Sequence, residues 1–489
     1  TSKIQHAIIA LLASGSENLF MVGDEDQSIY GFRAAYPEAL LTFEKNYPDA
    51  KVLLMEENFR SDARIVLAAD RFIQKNTLRH EKHMKAARKP ASDIREISLR
   101  SRKAQYTYLA KLAEGCTSQT AILYRDNECI LPLVDLLERN GIPYQMRNAE
   151  LSFFSHRTIL DIINIIKLAQ NPMDTEAFLQ IYYKIGTYLR KQDAIRIARI
   201  SEEKRIPVLD VAAEDSDLNG HVLGSVRSMR THLQNLLQDS GERAIYRIMQ
   251  FMGYQEYLNR SGLSDSKLEI LRILGIRADS PMELVERLEQ LKVLIREKEP
   301  DRKCPLILST IHASKGLEYD SVYLIDVADG ILPESIPQNL HQASAEELKA
   351  YEEERRLFYV GVTRAKDHLT LFTTNRPSTF CSEFLGKSSV TEEGRKNLMP
   401  VESRISRTFK QARPYAAVAG IRQTKASEEL YFRLKEELGT GVIVEHKKYG
   451  EGVVTQLDDR LVHIMFQDDT LRMMDLKILA NAGLLKVKK

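Results

Sequence analysis

The chain has 489 residues, 43% of them hydrophobic and 28% charged, with a formal net charge of +2. That length implies several domains, and so small a charge leaves any nucleic-acid contact to local clustering. Four scattered cysteines without a C-x-x-C pair argue against a zinc site or a disulfide framework and suit a reducing cytoplasm; no apolar run is long enough for a bilayer or a secretory leader.

The chain opens at Thr1 in an amphipathic run (Ile4, Ile8, Leu11, Leu12), which reads as a piece of a longer polypeptide. Residues 18–23 form a short apolar run ending in Gly-Asp, and 51–55 another; both are predicted strands. Pro37 opens a predicted helix carrying Leu40, Leu41 and Phe43, and 63–75 is amphipathic through Ile65, Ala69, Phe72 and Ile73. Residues 119–124 and 143–146 are predicted strands flanking a helix that Gly141 terminates. Short buried strands alternating with helices imply a parallel sheet. Ser155 is placed to cap the helix that follows, whose Ile159, Ile162, Ile163 and Ile166 share a face. Over 172–300 strand signals fade and a helical insertion is predicted; alternation returns at 306–327 and 368–373. Residues 391–440 are basic and polar and read as a linker with a helix at 426–438. Short strands at 442–444, 452–455 and 461–466, split by KYGEG and LDDR, suggest a small terminal β-barrel.

Four segments carry chemistry. In VGDEDQSIYGFRAA (22–35), Gln27 can position water or touch a terminal phosphate, and Tyr30 and Phe32 beside Arg33 offer base-stacking faces. The competing reading is a polar turn whose aromatics return to the core. In EENFRS (56–61), Arg60 could clamp a phosphate and Phe59 pack on a purine, although a surface Arg near a helix cap has the same pattern. In LILSTIHASKGLE (306–318), an apolar strand runs into hydroxyls, Lys315 and Gly316, which suits close approach to a sugar-phosphate backbone; Glu318 could accept from ribose hydroxyls, and His312 suits a loop bond better than base catalysis. In EEERRLFYVGVTRA (352–365), Arg364 stands where it could neutralise charge on a γ-phosphate, against the plainer reading of a solvated face with a Glu352–Arg356 pair. No G-x-x-x-x-G-K-[ST] loop occurs anywhere in the chain.

In this order the four segments resemble motifs III to VI of superfamily 1 helicases of the UvrD/PcrA/Rep group, and 441–489 resembles the Tudor-like barrel that ends many of them. The resemblance implies an α/β fold: RecA-like parallel-sheet motor domains, the first only partial, with an all-helical insertion and a small C-terminal SH3/Tudor-like barrel. It divides the chain at 1–57 (end of the first motor domain), 58–171 and 301–390 (second motor domain), 172–300 (insertion), 391–440 (linker) and 441–489 (barrel). It implies that Gln27, Arg60 and Arg364 serve catalysis and that Phe59, Gly316 and Glu318 meet the nucleotide. It implies further that Tyr30, Phe32, Arg33, Thr310, His312, Ser314 and Lys315 meet DNA. The implied cofactors are ATP and Mg²⁺, with the metal ligands and phosphate loop outside this chain, so that the fragment alone would not turn over ATP. The implied partners are single-stranded and forked DNA, the remaining part of the motor and RNA polymerase through 441–489. A non-catalytic DNA- or partner-binding module is the rival; the nuclease-helicase branch would need an Asp/Glu/Lys cluster that the tail lacks.

Overall fold

The computed structural model describes residues 1–15, 18–31, 35–147, 152–299, 301, 303–340, 342–374 and 378–387 and, beyond these, 438, 442–447, 449–457, 461–466, 471–476, 479 and 484–487. Residues 1–391 and 392–489 form two separate units.

In the first unit the parallel sheet has six strands: β3 (Arg95–Leu99), β4 (Thr120–Tyr124), β5 (Gln145–Met146), β6 (Leu306–Thr310), β7 (Tyr319–Leu324) and β8 (Ala365–Thr374), preceded by a two-residue parallel pair, β1 (Glu57–Asn58) and β2 (Lys85–Ala86). Their order is β3-β8-β7-β4-β6-β5, and every pairing is parallel. Strands β4 and β6 are buried at every position because both faces are covered. From β4, Ala121 and Leu123 pack with Phe72 of helix Ala63–Ile73 and Phe358 of helix Ala345–Val362. Ile122 and Tyr124 point to the opposite face, into a core with Leu109 and Leu133.

Between Ser152 and Glu297 every regular element is a helix. His156, not Ser155, caps helix Arg157–Gln170, since its side chain accepts from Thr158 N. Two predicted strands are absent. Residues 18–23 and 51–55 carry no regular secondary structure and belong to no ladder. Apolar content is necessary for a strand, but a strand also needs a neighbour to take its backbone bonds. These segments instead hold their side chains out: Phe20 is 89% exposed, Leu53 83% and Met55 86%. Helix Lys3–Ala13 likewise buries none of its residues.

In the second unit β9 (Ile443–His446), β10 (Gly450–Leu457), β11 (Leu461–Phe466), β12 (Leu471–Asp475) and β13 (Leu485–Val487) form an antiparallel sheet of order β12-β11-β10-β9-β13. Val444, Val454, Val462, Ile464 and Phe466 make its core. The linker reading and its helix lie outside the described residues, apart from Leu438. Among the described residues no helix is long and apolar enough to cross a membrane.

Candidate nucleotide and DNA site

The segments that the sequence sets more than 300 positions apart meet in space. Asp24 Oδ1 accepts from Asp26 N (3.1 Å), starting a single 3₁₀ turn at Glu25–Gln27. The Gln27 amide donates from Nε2 to Asp24 Oδ2 (2.6 Å), which leaves Oε1 facing the second segment. That segment is helix Ala345–Val362, opened by a capping box between Ser344 and Glu347. Just past its end stands Arg364.

Arg364 is 1% exposed. Its Nε donates to Val360 O (3.0 Å), Nη1 to Leu317 O (3.1 Å), and Nη2 to Thr363 Oγ1 (3.2 Å) and, weakly, to Gln27 Oε1 (3.4 Å). Among the described residues no carboxylate forms an ion pair with it. Burial, helped by repulsion from Arg60, lowers its pKa to about 10. The guanidinium is still a cation at neutral pH. Buried charges are normally paired, so an unpaired one held by neutral acceptors makes a site that favours an incoming anion.

Arg60 approaches from the other strand junction. Asn58 Oδ1 accepts from Arg60 N and Ser61 N (both 3.0 Å), and Ser61 Oγ donates to Ala365 O (2.6 Å), docking this turn onto the start of β8 beside Arg364. Tyr319 N donates to Arg364 O (2.9 Å), so the cluster sits at the amino ends of β7 and β8. Arg60 Nε bonds Glu318 Oε2 (3.0 Å), and Lys366 Nζ lies 3.3 Å from Glu318 Oε1. These two cations hold the Glu318 carboxyl below its usual range. Phe59 is 71% exposed, its ring free of the core. Gly316 has φ +84°, a left-handed conformation that glycine adopts without strain.

Of the predicted DNA contacts, Thr310 caps the one-turn helix Ile311–Ser314 by accepting from Ala313 N (3.1 Å). Tyr30 Oη donates to His312 O (3.0 Å), and Lys315 Nζ donates to Gln27 O (2.8 Å) while lying 5.3 Å from the Tyr30 ring centre. Burial lowers the Lys315 pKa. Tyr30, His312 and Lys315 thus join the loop after β6 to the Gln27 turn. Ser314 departs from the expectation of a backbone contact: it is fully buried, and its hydroxyl donates to Ile311 O (2.6 Å), because the helical turn points it inward. Phe32 and Arg33 lie outside the described residues.

Sequence reasoning missed several partners. Arg356 Nε donates to Ser28 O (2.9 Å), and Gly31 N donates to Glu353 Oε1 (2.7 Å), so the charged start of EEERRLFYVGVTRA binds the first segment rather than water. Arg79, His80 and Lys82 contact the three carboxylates Asp24, Glu25 and Asp26. A local charge run carries no mark of a partner some fifty residues away.

Residues 53–376 match the UvrD-like helicase C-terminal domain, and residues 1–48 match the UvrD/REP helicase N-terminal domain. The chain belongs to the UvrD-like helicase family. Among curated relatives, YjcD of Bacillus subtilis (strain 168) is 31% identical over 385 residues, covering 75% of this chain and 49% of YjcD. The ATP-dependent DNA helicase PcrA of Staphylococcus epidermidis is 27% identical over 495 residues, and that of Staphylococcus aureus 26% over 497; each alignment covers 94% of this chain and 65% of the relative. This UvrD-like chain therefore spans about half to two thirds of the length of these relatives.

Proposed function

We propose that this UvrD-like chain is the arginine-bearing portion of an ATP-dependent 3′→5′ DNA helicase or translocase. The observation that carries the reading is the buried Arg364 guanidinium, without a carboxylate partner among the described residues and turned toward Gln27 Oε1. Arg60 and Lys315 add positive charge near it, and Phe59 presents an open ring for a purine. When bound, ATP supplies the hydrolysable phosphoanhydride; Arg60 and Arg364 neutralise charge on its terminal phosphate, Gln27 reads that phosphate, and Glu318 turns from Arg60 to the ribose. Thr310, His312, Lys315 and Tyr30 hold single-stranded or forked DNA on the adjoining loop. In this reading 58–171 and 301–390 are a RecA-like motor lobe, 172–300 its insertion, 1–57 the end of the first lobe, and 441–489 an SH3/Tudor-like recruiting module. The exposed apolar residues of 1–57 are the face that a segment carrying the phosphate loop and Mg²⁺ carboxylates covers. Without such a segment the chain does not turn over ATP.

The test is to place such a segment ahead of Thr1 and measure ATP hydrolysis with and without single-stranded DNA. Stimulation by DNA is expected; its absence favours a non-catalytic DNA- or partner-binding scaffold. The DNA half of the reading is tested on the 489-residue chain itself, by anisotropy with a labelled oligothymidylate. Tyr30→Ala is expected to weaken binding by about 1–3 kcal/mol, as loss of one stacking ring does elsewhere. Tyr30→Phe keeps the ring and loses the bond to His312 O, so it is expected to bind nearly as the parent does. Equal losses in the two variants would assign Tyr30 to loop packing alone.

A further inference from the structure

The segment that follows helix Ala63–Ile73 reads QKNTLRHEKHMK over 74–85. By composition it is a solvated charge run. In the fold it is pressed between two parts of the candidate site. On one side Asn76 Nδ2 donates to Glu352 O (3.0 Å), and Thr77 donates from both N and Oγ1 to Glu352 Oε1 (2.7 Å each). Glu352 lies on the helix that leads to Arg364. On the other side Arg79 forms a two-pronged bond with Asp26, Nε to Oδ1 and Nη2 to Oδ2, both 3.0 Å. These two side chains are 5% and 3% exposed. His80 N donates to Glu25 Oε1 (2.9 Å), and Lys82 Nζ lies 2.8 Å from Asp24, 3.1 Å from Glu25 and 3.3 Å from Asp26.

Three consecutive carboxylates repel each other, and the two that are buried, Glu25 and Asp26, would not stay so unaided. Arg79 and Lys82 are what hold them. Burial opposes the Glu25 charge, yet the His80 amide and Lys82 bring its carboxyl below the usual range; Asp24, Asp26 and Glu25 likewise raise the Lys82 ammonium against its own burial. Asp24 in turn accepts from Gln27 Nε2, and this bond sets which end of the amide faces Arg364. A chain of hydrogen bonds runs from Lys82 through Asp24 and Gln27 to Arg364, short and charge-assisted at Asp24 (2.8 and 2.6 Å) and weak at Arg364 (3.4 Å).

We propose that residues 76–82 form a bracket that sets Gln27 against Arg364, with Arg79 and Lys82 as positioning residues acting through Asp26 and Asp24. The bracket grips the Arg364 helix at Glu352 and the Gln27 turn at its carboxylates, so the two move together. This rests on the reading of Gln27 and Arg364 as nucleotide-facing groups, whereas the bracket itself is testable without it.

The first measurement is amide hydrogen exchange on the 489-residue chain. Arg79→Met is expected to speed exchange at Asp26, Gln27 and Ser28 by on the order of tenfold or more, the scale of losing one strong bond. Strands β4, β6 and β7 should keep their protection. Arg79→Lys retains the charge and one bond and is expected to restore part of the protection; Lys82→Met is expected to act on the same amides. The second measurement is the ratio of DNA-stimulated to DNA-free ATP turnover in the completed motor. A loss of folded protein leaves that ratio unchanged, whereas a misplaced Gln27 lowers it. Unchanged exchange at 26–28 in both methionine variants overturns the bracket, and so does equal acceleration through the whole sheet. A parent motor without DNA-stimulated turnover overturns the helicase reading instead, and the exchange data then still decide the bracket.

Discussion

Arg364→Ala is expected to reduce DNA-stimulated ATP turnover of the completed motor by about 10³–10⁵-fold, the range seen when an arginine that neutralises a transferring phosphoryl group is supplied or withheld. Single-stranded DNA affinity of the 489-residue chain is expected to be nearly unchanged, because Tyr30, His312 and Lys315 contact one another and the Gln27 backbone without using the Arg364 side chain. The size of the effect follows from placement. Four neutral acceptors hold this guanidinium, and none neutralises its charge. A fixed, desolvated cation needs no reorganisation when negative charge develops beside it, and it acts more strongly there than in water. Arg364→Lys tests geometry apart from charge. An ammonium cannot bond Val360 O, Leu317 O and Gln27 Oε1 together in a planar fork, so most of the loss should persist. The alanine variant also strips buried carbonyls of their donor, so chemical denaturation must accompany the kinetics. A variant that loses turnover and DNA affinity in equal measure would place Arg364 in the architecture rather than the chemistry.

Short contiguous segments bring the candidate residues to notice in the sequence, and in GDEDQ, ENFRS and VTRA the fold sets each candidate side chain beside a neighbour from its own segment: Asp24 under Gln27, Asn58 under Arg60, Thr363 beside Arg364. Strands β4 and β6 were legible for a similar reason, since five consecutive buried residues suit a strand covered on both faces. β3 was not, because Arg95–Leu99 is an edge strand whose REISL carries only a weak apolar pattern. Residues 18–23 and 51–55 failed in the opposite sense. Their composition is strand-like, but a ladder is a property of two segments. The Arg79–Asp26 clamp and the inward turn of Ser314 were likewise invisible, one because its partner is remote and the other because helix phase decides it.

The same dependence on remote partners sets the largest stability effect. Asp326 follows β7 and is fully buried, with φ +55°. Its carboxylate accepts from Arg102 Nε (2.9 Å), Arg102 Nη2 (2.6 Å) and Gln105 Nε2 (2.9 Å), and its own N–H donates to Gln105 Oε1 (3.1 Å). Arg102 also reaches Glu269 of helix Ser266–Gly275 (3.2 Å), joining the parallel sheet to the helical segment. Asp326→Ala leaves the Arg102 charge buried beside a half-exposed carboxylate only, and it forces alanine into a left-handed conformation. It is expected to cost about 3–5 kcal/mol, the loss typical of breaking a buried pair from one side. Glu269→Ala removes the solvated member and is expected to cost about 0–1 kcal/mol. Asp326→Asn separates the two contributions: asparagine tolerates the left-handed backbone and still accepts a bond, so its loss should fall between the others. Urea unfolding, read by far-UV circular dichroism, checks the order. If Glu269→Ala costs as much as Asp326→Ala, the contact with the helical segment, and not the buried pair, holds these elements together.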